Sequence, residues 1–334
     1  MDIVIIIPHY NSPRLLSRML ASIPHNDLIA VIIVDDRSTE GIDELHRLVA
    51  DENRAILLKN NTPNKGAGTA RNVGLDFVME HMPAAKWIMF ADADDFFLPG
   101  FDNIVIEIIN TEKDLPDSES GTTVLPDRQT DIIFFTPTSV NPDGTLGMRH
   151  EVYAELINKY CNEPSKTNEE ILKAKFFVVW SKLYRASLIF DNDIRFDEVI
   201  ASNDVMFAIK CNFLARQIEA SKDETYCVTQ GSGTLTTKKS EEIFDARLKV
   251  EFDQIAFIRQ RVSKATYKQI SSWSFAKVIK AYEWFGLKKA LETFMVSSRH
   301  GQPLIRLRLL NPVHVVKRFR SWQMKVRYQR KYTV

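Results

Sequence analysis

The sequence has few cysteines and no long apolar run. Among its 334 residues, Cys161, Cys211 and Cys227 are the only cysteines, and they are far apart and odd in number. A disulfide scaffold and a secreted protein are therefore not expected, and a reducing, cytoplasmic compartment is. No stretch approaches the roughly 18 apolar residues that a membrane-spanning helix requires. Only the five apolar residues of Ile3–Ile7 precede Pro8, which does not resemble a secretion signal.

Acidic residues are absent from the end of the chain. Residues 299–334 contain ten Lys or Arg and no Asp or Glu, although the net charge of the whole chain is only +1. The remainder carries 34 basic and 43 acidic residues. Because an acidic body repels nucleic acid, the basic tail predicts contact with a different anionic surface.

The tail also has a helical apolar pattern. Val315, Phe319, Trp322 and Val326 recur at spacings of four, three and four residues, with basic residues on both flanks. This layout predicts an amphipathic helix that lies on the anionic inner face of a membrane. The alternative is that the stripe packs on the protein and leaves a solvated basic face.

Strand and helix patterns alternate in the first hundred residues. Buried strands are predicted at Ile3–Ile7, Val31–Val34, Ala55–Leu58 and Trp87–Phe90, and each precedes the pattern of an amphipathic helix. This alternation predicts an α/β fold that is Rossmann-like, with a mostly parallel central sheet and flanking helices.

The later part of the chain predicts fewer strands and more helices. Strands are expected at Ile132–Phe135, Phe176–Trp180 and Tyr226–Val228, a loop over residues 112–130, and helices over residues 153–175, 205–214 and 241–295. The chain divides on this reading into an α/β catalytic domain (1–235), a helical extension (236–300) and the basic amphipathic tail (301–334).

Four polar segments follow the predicted strands, where ligands bind in open parallel sheets. They are Pro8-His9-Tyr10-Asn11, Asp35-Asp36-Arg37-Ser38, Asn64 to Asn72 with its glycine loop, and Asp92-Ala93-Asp94-Asp95. A single polar strand end is usually a turn, whereas four that converge on one edge indicate a binding site.

The Asp92-Ala93-Asp94 segment offers two carboxylates at a strand end. Mg²⁺ and Mn²⁺ favour oxygen ligands that they share with phosphate, so this pair can hold a divalent cation beside a diphosphate. The alternative is an acidic first turn of a helix. Likewise, Asp36 is either part of a capped turn or an acceptor for a nucleobase N–H.

The glycine loop does not match a dinucleotide fingerprint, because Arg71 stands where a third glycine is needed. Lys65, Arg71 and backbone N–H groups near a helix start still suit an anionic ligand. Asn203-Asp204 precedes a helix and is either an N-cap pair or a general base at the helix mouth. An exposed Trp180 would be a stacking platform for a sugar, or else it packs at a strand end.

Taken in order, these segments resemble family 2 glycosyltransferases of the GT-A fold. The resemblance covers about residues 2–215 and rests on the four segments above together with Ala70 to Leu75, Trp180 to Arg185, Phe196-Asp197-Glu198 and Asn203-Asp204. The family usually has Glu-Asp where this chain has Asn203-Asp204.

The resemblance implies roles for individual residues. Asp36 would contact the base, Asp92 the ribose, Asp94 the metal, and Asp204 would be the catalytic base. The remaining site residues that we expect are, for the donor, Pro8, Tyr10, Asn11, Lys65, Arg71 and Ala93, and, for the acceptor, Trp180 and Glu198.

We therefore expect an inverting, metal-dependent glycosyltransferase. It would use Mn²⁺ or Mg²⁺ and move a sugar from a nucleotide-diphosphate donor, with UDP favoured, to a hydroxyl of a glycan or lipid-linked acceptor in bacterial polysaccharide synthesis. A sugar nucleotidyltransferase and a catalytically silent sugar-nucleotide-binding subunit remain as alternatives.

Overall fold

The chain forms two compact units, Met1–Gln230 and Gly231–Val334. The computed structural model describes residues 2–52, 54–113, 130–231, 239–270 and 275–300. The expected domain boundary at residues 235 and 236 and the whole basic tail, residues 301–334, lie outside the described residues, as does most of the predicted loop over 112–130.

The first unit contains a sheet and surrounding helices. Its strands are β1 (Ile3–His9), β2 (Ile29–Asp35), β3 (Ala55–Lys59), β4 (Trp87–Phe90), β5 (Phe96–Phe97), β6 (Ile132–Val140), β7 (Lys182–Arg185) and β8 (Ile218–Thr229). Its helices are α1 (Pro13–Ser22), α2 (Ile42–Ala50), α3 (Ala67–His81), α4 (Phe101–Lys113), α5 (Glu151–Asn162), α6 (Lys166–Lys175), α7 (Ala186–Phe190) and α8 (Val205–Leu214).

The eight strands form one mixed sheet in the order β3-β2-β1-β4-β7-β6-β8-β5. Strand β1 pairs in parallel with both β2 and β4, and β2 pairs in parallel with β3. Strand β7 is antiparallel to both β4 and β6, and β6 is parallel to β8. Two successive antiparallel pairings restore the strand direction, so β4, β6 and β8 end at the same edge of the sheet as β1 and β2. The predicted α/β class with a mostly parallel sheet is confirmed.

Burial on both faces explains the continuous apolar run of β1. Every side chain from Ile3 to Ile7 is fully buried, and burying one such side chain stabilises the fold by about 1.5–3 kcal/mol. Helix α3 packs closely against this strand at Gly74, where an added Cβ would lie 2.6 Å from Ile6 Cγ2. This close packing places the start of α3 beside the strand ends.

The predicted strand at Phe176–Trp180 is wrong. Phe176 ends helix α6, and its N–H donates to the carbonyl of Leu172. The chain then runs irregularly to Ser181, which has a φ of 57°, and β7 begins only at Lys182. The apolar run reflects burial of aromatic rings, since the rings of Phe176 and Phe134 lie 5.4 Å apart.

The predicted helix over residues 153–175 is two helices, α5 and α6. The break falls at Glu163-Pro164-Ser165, and Ser165 caps α6 by accepting a hydrogen bond from the N–H of Asn168. Proline is disfavoured inside a helix because it lacks the N–H and its ring clashes with the preceding turn.

The second unit is helical in its described part, as predicted for residues 241–295. Its helices are α9 (Glu241–Arg259), α10 (Lys264–Ile270), α11 (Phe275–Phe285) and α12 (Leu287–Arg299), and its buried core contains Phe244, Leu248, Phe252, Ala281 and Ala290. Among the described residues of the whole chain, none of the helices combines the length and the apolar character that crossing a membrane requires.

Candidate functional site

A cleft of about 420 Å³ opens at the sheet edge where β1, β2 and β4 end, beside the start of α3 and the residues before α8. It is lined by Pro8, His9, Tyr10, Ser12, Leu15, Asp36, Ala67, Arg71, Asp92, Ala93, Asp94, Asn203 and Asp204. Eight residues predicted for the site are therefore brought together. The other four predicted site residues do not line the cleft within the described part of the chain. They are Asn11, Lys65, Trp180 and Glu198.

Three carboxylates cluster after β4. Oxygen atoms of Asp92, Asp94 and Asp95 all lie within 4.8 Å of one another. Burial and the negative charge of Asp92 raise the pKa of Asp94. Burial, followed by the charges of Asp92 and Asp94, raises the pKa of Asp95 well above its ordinary value. Like charges this close favour either a proton or a cation between them.

The cluster has the donor set of a hard divalent cation, because every ligand atom is a carboxylate oxygen. Both oxygens of Asp95 already accept hydrogen bonds, from Tyr226 Oη at 2.9 Å and from the N–H of Thr229 at 2.8 Å. Asp94 is half-buried and lines the cleft. The residues present therefore fit such a cation, and Asp94 could hold it at the cleft surface.

Arg71 links the acidic cluster to the segment before α8. Its buried guanidinium forms an ion pair with Asp92, and Nη1 donates to Asn203 Oδ1 at 3.1 Å. The guanidinium also lies 5.3 Å from the centre of the Phe196 ring. Solvent screens part of this attraction, because the Asp92 side chain is 33% exposed, but the two contacts of the guanidinium still restrain Asp92. Arg71 thus positions Asp92, and it also lines the cleft, so its predicted contact with the donor stays a prediction.

Tyr226 holds the backbone of Asp92. The N–H of Asp92 donates to Tyr226 Oη at 2.9 Å, and this hydroxyl in turn donates to Asp95. Tyr226 is fully buried and lies on β8, far from the acidic segment in sequence. The hydroxyl thus connects two strands through one short chain of hydrogen bonds.

His9 and Asp35 join the ends of β1 and β2. The strand register places them opposite each other, and His9 Nδ1 lies 3.2 Å from Asp35 Oδ1. Because the N–H of Ser12 donates to His9 Nε2, the ring proton belongs on Nδ1 and is donated to Asp35. Burial raises the pKa of Asp35, but hydrogen bonds from Ser38 and His9 outweigh it and leave that pKa below its ordinary value. His9 is therefore a structural residue of this edge.

Asp36 is buried at the floor of the cleft and is tied to the glycine loop. Its Oδ1 accepts a hydrogen bond from Asn60 Nδ2 at 2.6 Å, and its Oδ2 accepts one from the N–H of Gly66 at 2.7 Å. Gly66 has a φ of 131°, which a residue with a side chain rarely adopts. Each carboxylate oxygen has further acceptor capacity, so Asp36 can accept a hydrogen bond from a ligand as well.

Tyr10 and Lys65 meet at the cleft mouth. Tyr10 is 47% exposed, and Lys65 Nζ lies 3.7 Å from the centre of its ring. Asn11 has a φ of 49°, and its Oδ1 accepts hydrogen bonds from the N–H groups of Thr39 and Glu40. The side chain of Asn11 therefore holds the loop after β2 instead of lining the cleft.

Asp204 precedes α8 and faces the same cleft as Asp94. It occupies the N-cap position, yet its side chain makes no capping hydrogen bond to the helix. This geometry removes the N-cap interpretation of its carboxylate. Burial is the largest cause that raises the pKa of Asp204; the charge of Asp92 adds to it, and Arg71 and Arg149 oppose it. A carboxylate with a raised pKa in a cleft is a stronger base than an ordinary aspartate.

Trp180 is not the exposed stacking platform that we expected. It is only 2% exposed, and its ring stacks on Tyr226 at 6.0 Å with an interplanar angle of 12°. Tyr153 contacts the same ring edge-on at 5.1 Å. Because the chain packs it between other rings, Trp180 supports the tyrosine that holds Asp92.

Glu198 is exposed and accepts a hydrogen bond from Asn64 Nδ2. This contact ties the glycine loop to the segment that leads to Asp204. Glu198 was predicted to bind the acceptor, and that role stays a prediction.

Sequence reasoning missed three cleft neighbours. They are Arg18, Tyr226 and Arg149, to which the sequence analysis gave no role. Arg18 donates to the backbone carbonyl of Asp94 and to Thr229 Oγ1. The three residues belong to α1, β8 and the loop after β6, which carry no motif. Only the strand order could have indicated β6 and β8, because both end at the edge that carries the acidic cluster.

Known proteins resemble this chain in sequence. Residues 4–120 match the profile described as Glycosyl transferase family 2. The chain is 26% identical over 234 residues to the Staphylococcus aureus poly(ribitol-phosphate) beta-N-acetylglucosaminyltransferase TarS, which covers 68% of this chain and 35% of TarS. It is 37% identical over 102 residues to the Rhizobium meliloti succinoglycan biosynthesis protein ExoW, which covers 29% of this chain and 30% of ExoW. The chain thus spans about a third of the length of the curated relatives it matches.

Solved structures share the fold. The structure of S. aureus TarS 1-349 in complex with UDP-GlcNAc aligns with a TM-score of 0.57 and 18% identity, over 90% of this chain and 93% of that one. A mannosyltransferase from Pyrobaculum calidifontis, in complex with GDP-Man and Mn²⁺, aligns with a TM-score of 0.50 and 15% identity, over 97% and 83% of the two chains. Residues 4–120 thus carry the sequence pattern of family 2 glycosyltransferases, and the chain shares the GT-A fold with these solved structures.

Proposed function

We propose that this chain transfers a sugar from a nucleotide-diphosphate donor to an acceptor hydroxyl and inverts the anomeric centre. The observation that carries the proposal is the shared cleft, in which an acidic cluster and a separate half-buried carboxylate, Asp204, lie beside the buried acceptor Asp36. Such a cleft can bind a diphosphate at one end and remove a proton at the other.

Asp204 takes the proton from the attacking hydroxyl. Its pKa is raised mainly by burial, which makes the carboxylate more basic than an ordinary aspartate and suits it to accept the proton as the new bond forms. A positioned base of this kind contributes about 10²–10⁴-fold to the rate. Inversion follows because the hydroxyl attacks the face opposite the leaving diphosphate.

The donor diphosphate binds at the acidic cluster. When bound at Asp94, Mn²⁺ or Mg²⁺ would offset the negative charge that develops on the leaving group. Replacing Asp94 by Asn retains the shape but removes a charged ligand, and we expect a loss of about 10²-fold or more in turnover. Activity that resists EDTA, or that survives Asp94→Asn nearly intact, would refute metal dependence.

The donor base is uracil in this proposal. Asp36 can accept a hydrogen bond from the imide N–H of uracil, which cytosine lacks. Direct titration with UDP, GDP and CDP should show the tightest binding for UDP. The imide N–H separates UDP from CDP, and the similarity to a UDP-GlcNAc-bound protein supports UDP over GDP, whose base also carries an N–H. Tighter binding of either other nucleotide would overturn the assignment.

The acceptor is a hydroxyl of a phosphate-bearing polyol or a related surface glycan. Two matched relatives are a poly(ribitol-phosphate) beta-N-acetylglucosaminyltransferase and a poly(ribitol-phosphate) beta-glucosyltransferase, from S. aureus and Bacillus spizizenii. Similarity to them over 234 residues supports an acceptor of the same chemical class.

A product assay tests the whole proposal. The chain is incubated with UDP-GlcNAc, UDP-glucose or GDP-mannose, Mn²⁺ and a ribitol-phosphate oligomer, and the nucleotide products and the mass of the oligomer are measured. We expect UDP release that matches the sugar gained, with an inverted anomeric centre by NMR. In a parallel reaction with UTP and a sugar 1-phosphate, release of inorganic diphosphate together with a UDP-sugar would indicate a nucleotidyltransferase. Binding without turnover in either reaction would indicate a silent subunit.

The basic tail, residues 301–334, carries a separate proposal. On the sequence pattern alone, it attaches the enzyme reversibly to an anionic membrane, where each Lys or Arg contributes about 1 kcal/mol. Co-sedimentation with anionic and neutral vesicles tests this for the full chain and for a variant with Arg318, Arg320 and Arg327 changed to Gln. Equal binding of both proteins would reject it.

A further inference from the structure

Arg149 lies in the loop between β6 and α5, at the edge of the sheet that carries the cleft. Strand β6 runs in the same direction as β4, so the loop after β6 and the acidic segment after β4 leave the sheet on the same side. In the strand order, β6 stands two positions beyond β4, away from β1 and β2. Arg149 therefore belongs to the half of the edge opposite Asp36.

The loop that carries Arg149 is held rigidly on both sides of that residue. The N–H of Gly147 donates to the carbonyl of Ser139 at 2.7 Å, and the N–H of Met148 donates to Gln230 Oε1 at 3.1 Å. On the other side, His150 Nδ1 lies 2.8 Å from Ser139 Oγ. A Cβ on Gly147 would lie 2.2 Å from Gln230 Oε1, so glycine allows this close approach without displacing the Gln230 side chain. Such a fixed backbone presents the arginine in one place.

The Arg149 guanidinium is exposed and rests against an aromatic ring. Its Cζ lies 6.0 Å from the centre of the Trp180 ring, and among the described residues its side chain makes no hydrogen bond or ion pair. Trp180 in turn stacks on Tyr226, which bonds the backbone of Asp92. A guanidinium placed over an aromatic face keeps its N–H fork free for a planar or tetrahedral anion.

The charge of Arg149 acts on the carboxylate of Asp204. It opposes the burial that raises the pKa of Asp204. The other two arginines near the cleft are engaged, Arg71 with Asp92 and Arg18 with the backbone of Asp94. Of these three arginines, Arg149 is thus the one whose side-chain N–H groups have no hydrogen-bond acceptor among the described residues.

We infer that Arg149 forms a phosphate-binding subsite on the acceptor side of the cleft, where it holds a phosphate of the acceptor while the neighbouring hydroxyl meets Asp204. The inference rests on the proposed transfer to a phosphate-bearing acceptor. An anionic acceptor that approaches Asp204 and a donor diphosphate meets negative charge on both sides, and a fixed guanidinium offsets that repulsion. A guanidinium also binds phosphate with two parallel hydrogen bonds, which orients as well as attracts.

Binding measurements separate this subsite from donor binding. Isothermal titration of the full chain with Mn²⁺ measures the Kd of UDP and then, on the UDP-loaded protein, the Kd of a ribitol-phosphate oligomer. The variants are Arg149→Gln, which removes the charge, and Arg149→Lys, which keeps it without the fork. Arg216→Gln is the matched control, since Arg216 is exposed and lies between α8 and β8.

We expect Arg149→Gln to raise the Kd of the oligomer by about tenfold to a hundredfold, the loss of a charge-assisted hydrogen-bonded contact. Arg149→Lys should fall between this variant and the unmodified chain, and Arg216→Gln should match the unmodified chain. The Kd of UDP should stay within about threefold in all of them, because the donor contacts lie elsewhere.

Three results would overturn the inference. An unchanged oligomer Kd in Arg149→Gln would remove the subsite. A loss of UDP affinity as large as that of the oligomer would assign Arg149 to the donor diphosphate. An unmodified chain that binds UDP and transfers sugar, but never binds the oligomer, would reject the phosphate-bearing acceptor and leave sugar transfer intact. Failure of the unmodified chain to bind any nucleotide would instead count against the proposed function itself.

Discussion

The two halves of the sheet edge differ in how their charged side chains are paired. On the side of β1 and β2, Asp35 and Asp36 accept hydrogen bonds from His9, Ser38, Asn60 and the N–H of Gly66. On the side of β6 and α8, Asp204 has no capping hydrogen bond, and Arg149 has neither a hydrogen bond nor an ion pair among the described residues. The first half is assembled before any ligand binds, whereas the second half keeps its charges available for one.

The largest expected effect is on turnover, and it comes from replacing Asp204, whose carboxylate makes no capping hydrogen bond. Asp204→Asn removes the base and should lower turnover by about 10²–10⁴-fold while UDP affinity stays nearly constant. Stability should not fall, since the carboxylate caps no helix and its ionised form is disfavoured by burial. Single-turnover kinetics and thermal unfolding check both points, with the exposed Asp191→Asn as control. A collapse of UDP affinity with normal turnover of bound donor would make Asp204 structural, and Glu198 the next candidate.

Replacing Asp36, whose carboxylate is hydrogen-bonded within the protein, should instead lower stability and UDP affinity. In Asp36→Asn, one oxygen becomes an NH₂ group that faces a donor, either Asn60 Nδ2 or the Gly66 N–H. An unsatisfied buried polar group costs about 1–3 kcal/mol, so both unfolding free energy and UDP affinity should drop, the affinity by about tenfold. Urea unfolding and UDP titration measure the two losses, and exposed Asp43→Asn is the control. A variant of normal stability with weakened UDP binding would show that the hydrogen bonds of Asp36 to Asn60 and Gly66 contribute little to stability, and that Asp36 acts mainly through its contact with the nucleobase.

Tyr226→Phe probes the connection between the halves. It removes the hydroxyl that accepts from the Asp92 N–H and donates to Asp95, so two buried groups lose a partner. We expect a loss of about 1–3 kcal/mol in stability and a several-fold loss in turnover, because the ring still packs against Trp180. Tyr282→Phe, at an exposed position of the second unit, should change neither quantity. Unaltered activity would mean that Arg71 alone positions Asp92.

The pH dependence of stability should have opposite signs for Asp35 and Asp204, which lie in different halves of the edge. This is the smallest of the expected effects, because each residue binds or releases only one proton. Asp35 has a lowered pKa, so its contribution is present above the unfolded value and is lost as pH falls through the folded one. Asp204 has a raised pKa, so its contribution is present below the unfolded value and is lost as pH rises through the folded one. Urea midpoints from pH 3 to 7 for Asp35→Asn and Asp204→Asn should therefore deviate from the unmodified chain in opposite directions. Deviations of the same sign would contradict the comparison.

The better-paired half is also the half that the sequence predicts best. Strands β1, β2 and β4 are continuous apolar runs buried on both faces, and each ends in a polar segment whose position follows from the direction of the strand. Asp36, Asp92 and Asp94 could therefore be placed at one edge without coordinates.

The other half depends on contacts between residues far apart in the chain. The antiparallel insertion of β7 determines that β6 ends beside β4, and no local pattern reveals that pairing. For the same reason the burial of Trp180 could not be predicted, because Tyr153 and Tyr226 come from other elements. Arg149 lies in a loop that carries no motif, and only the three-dimensional structure brings its charge near Asp204.

The bridge made by Arg71 has a thermodynamic consequence. The guanidinium joins Asp92 to Asn203, next to Asp204, and the charge of Asp92 is one cause of the raised pKa of Asp204. A ligand that changes the charge balance at Asp92 therefore changes the proton affinity of the base. Linkage is reciprocal, so the proton on Asp204 must alter the affinity of that ligand by the same factor. Under the proposed function, donor binding and ionisation of Asp204 are therefore coupled, and donor affinity should depend on pH even though Asp204 need not touch the donor.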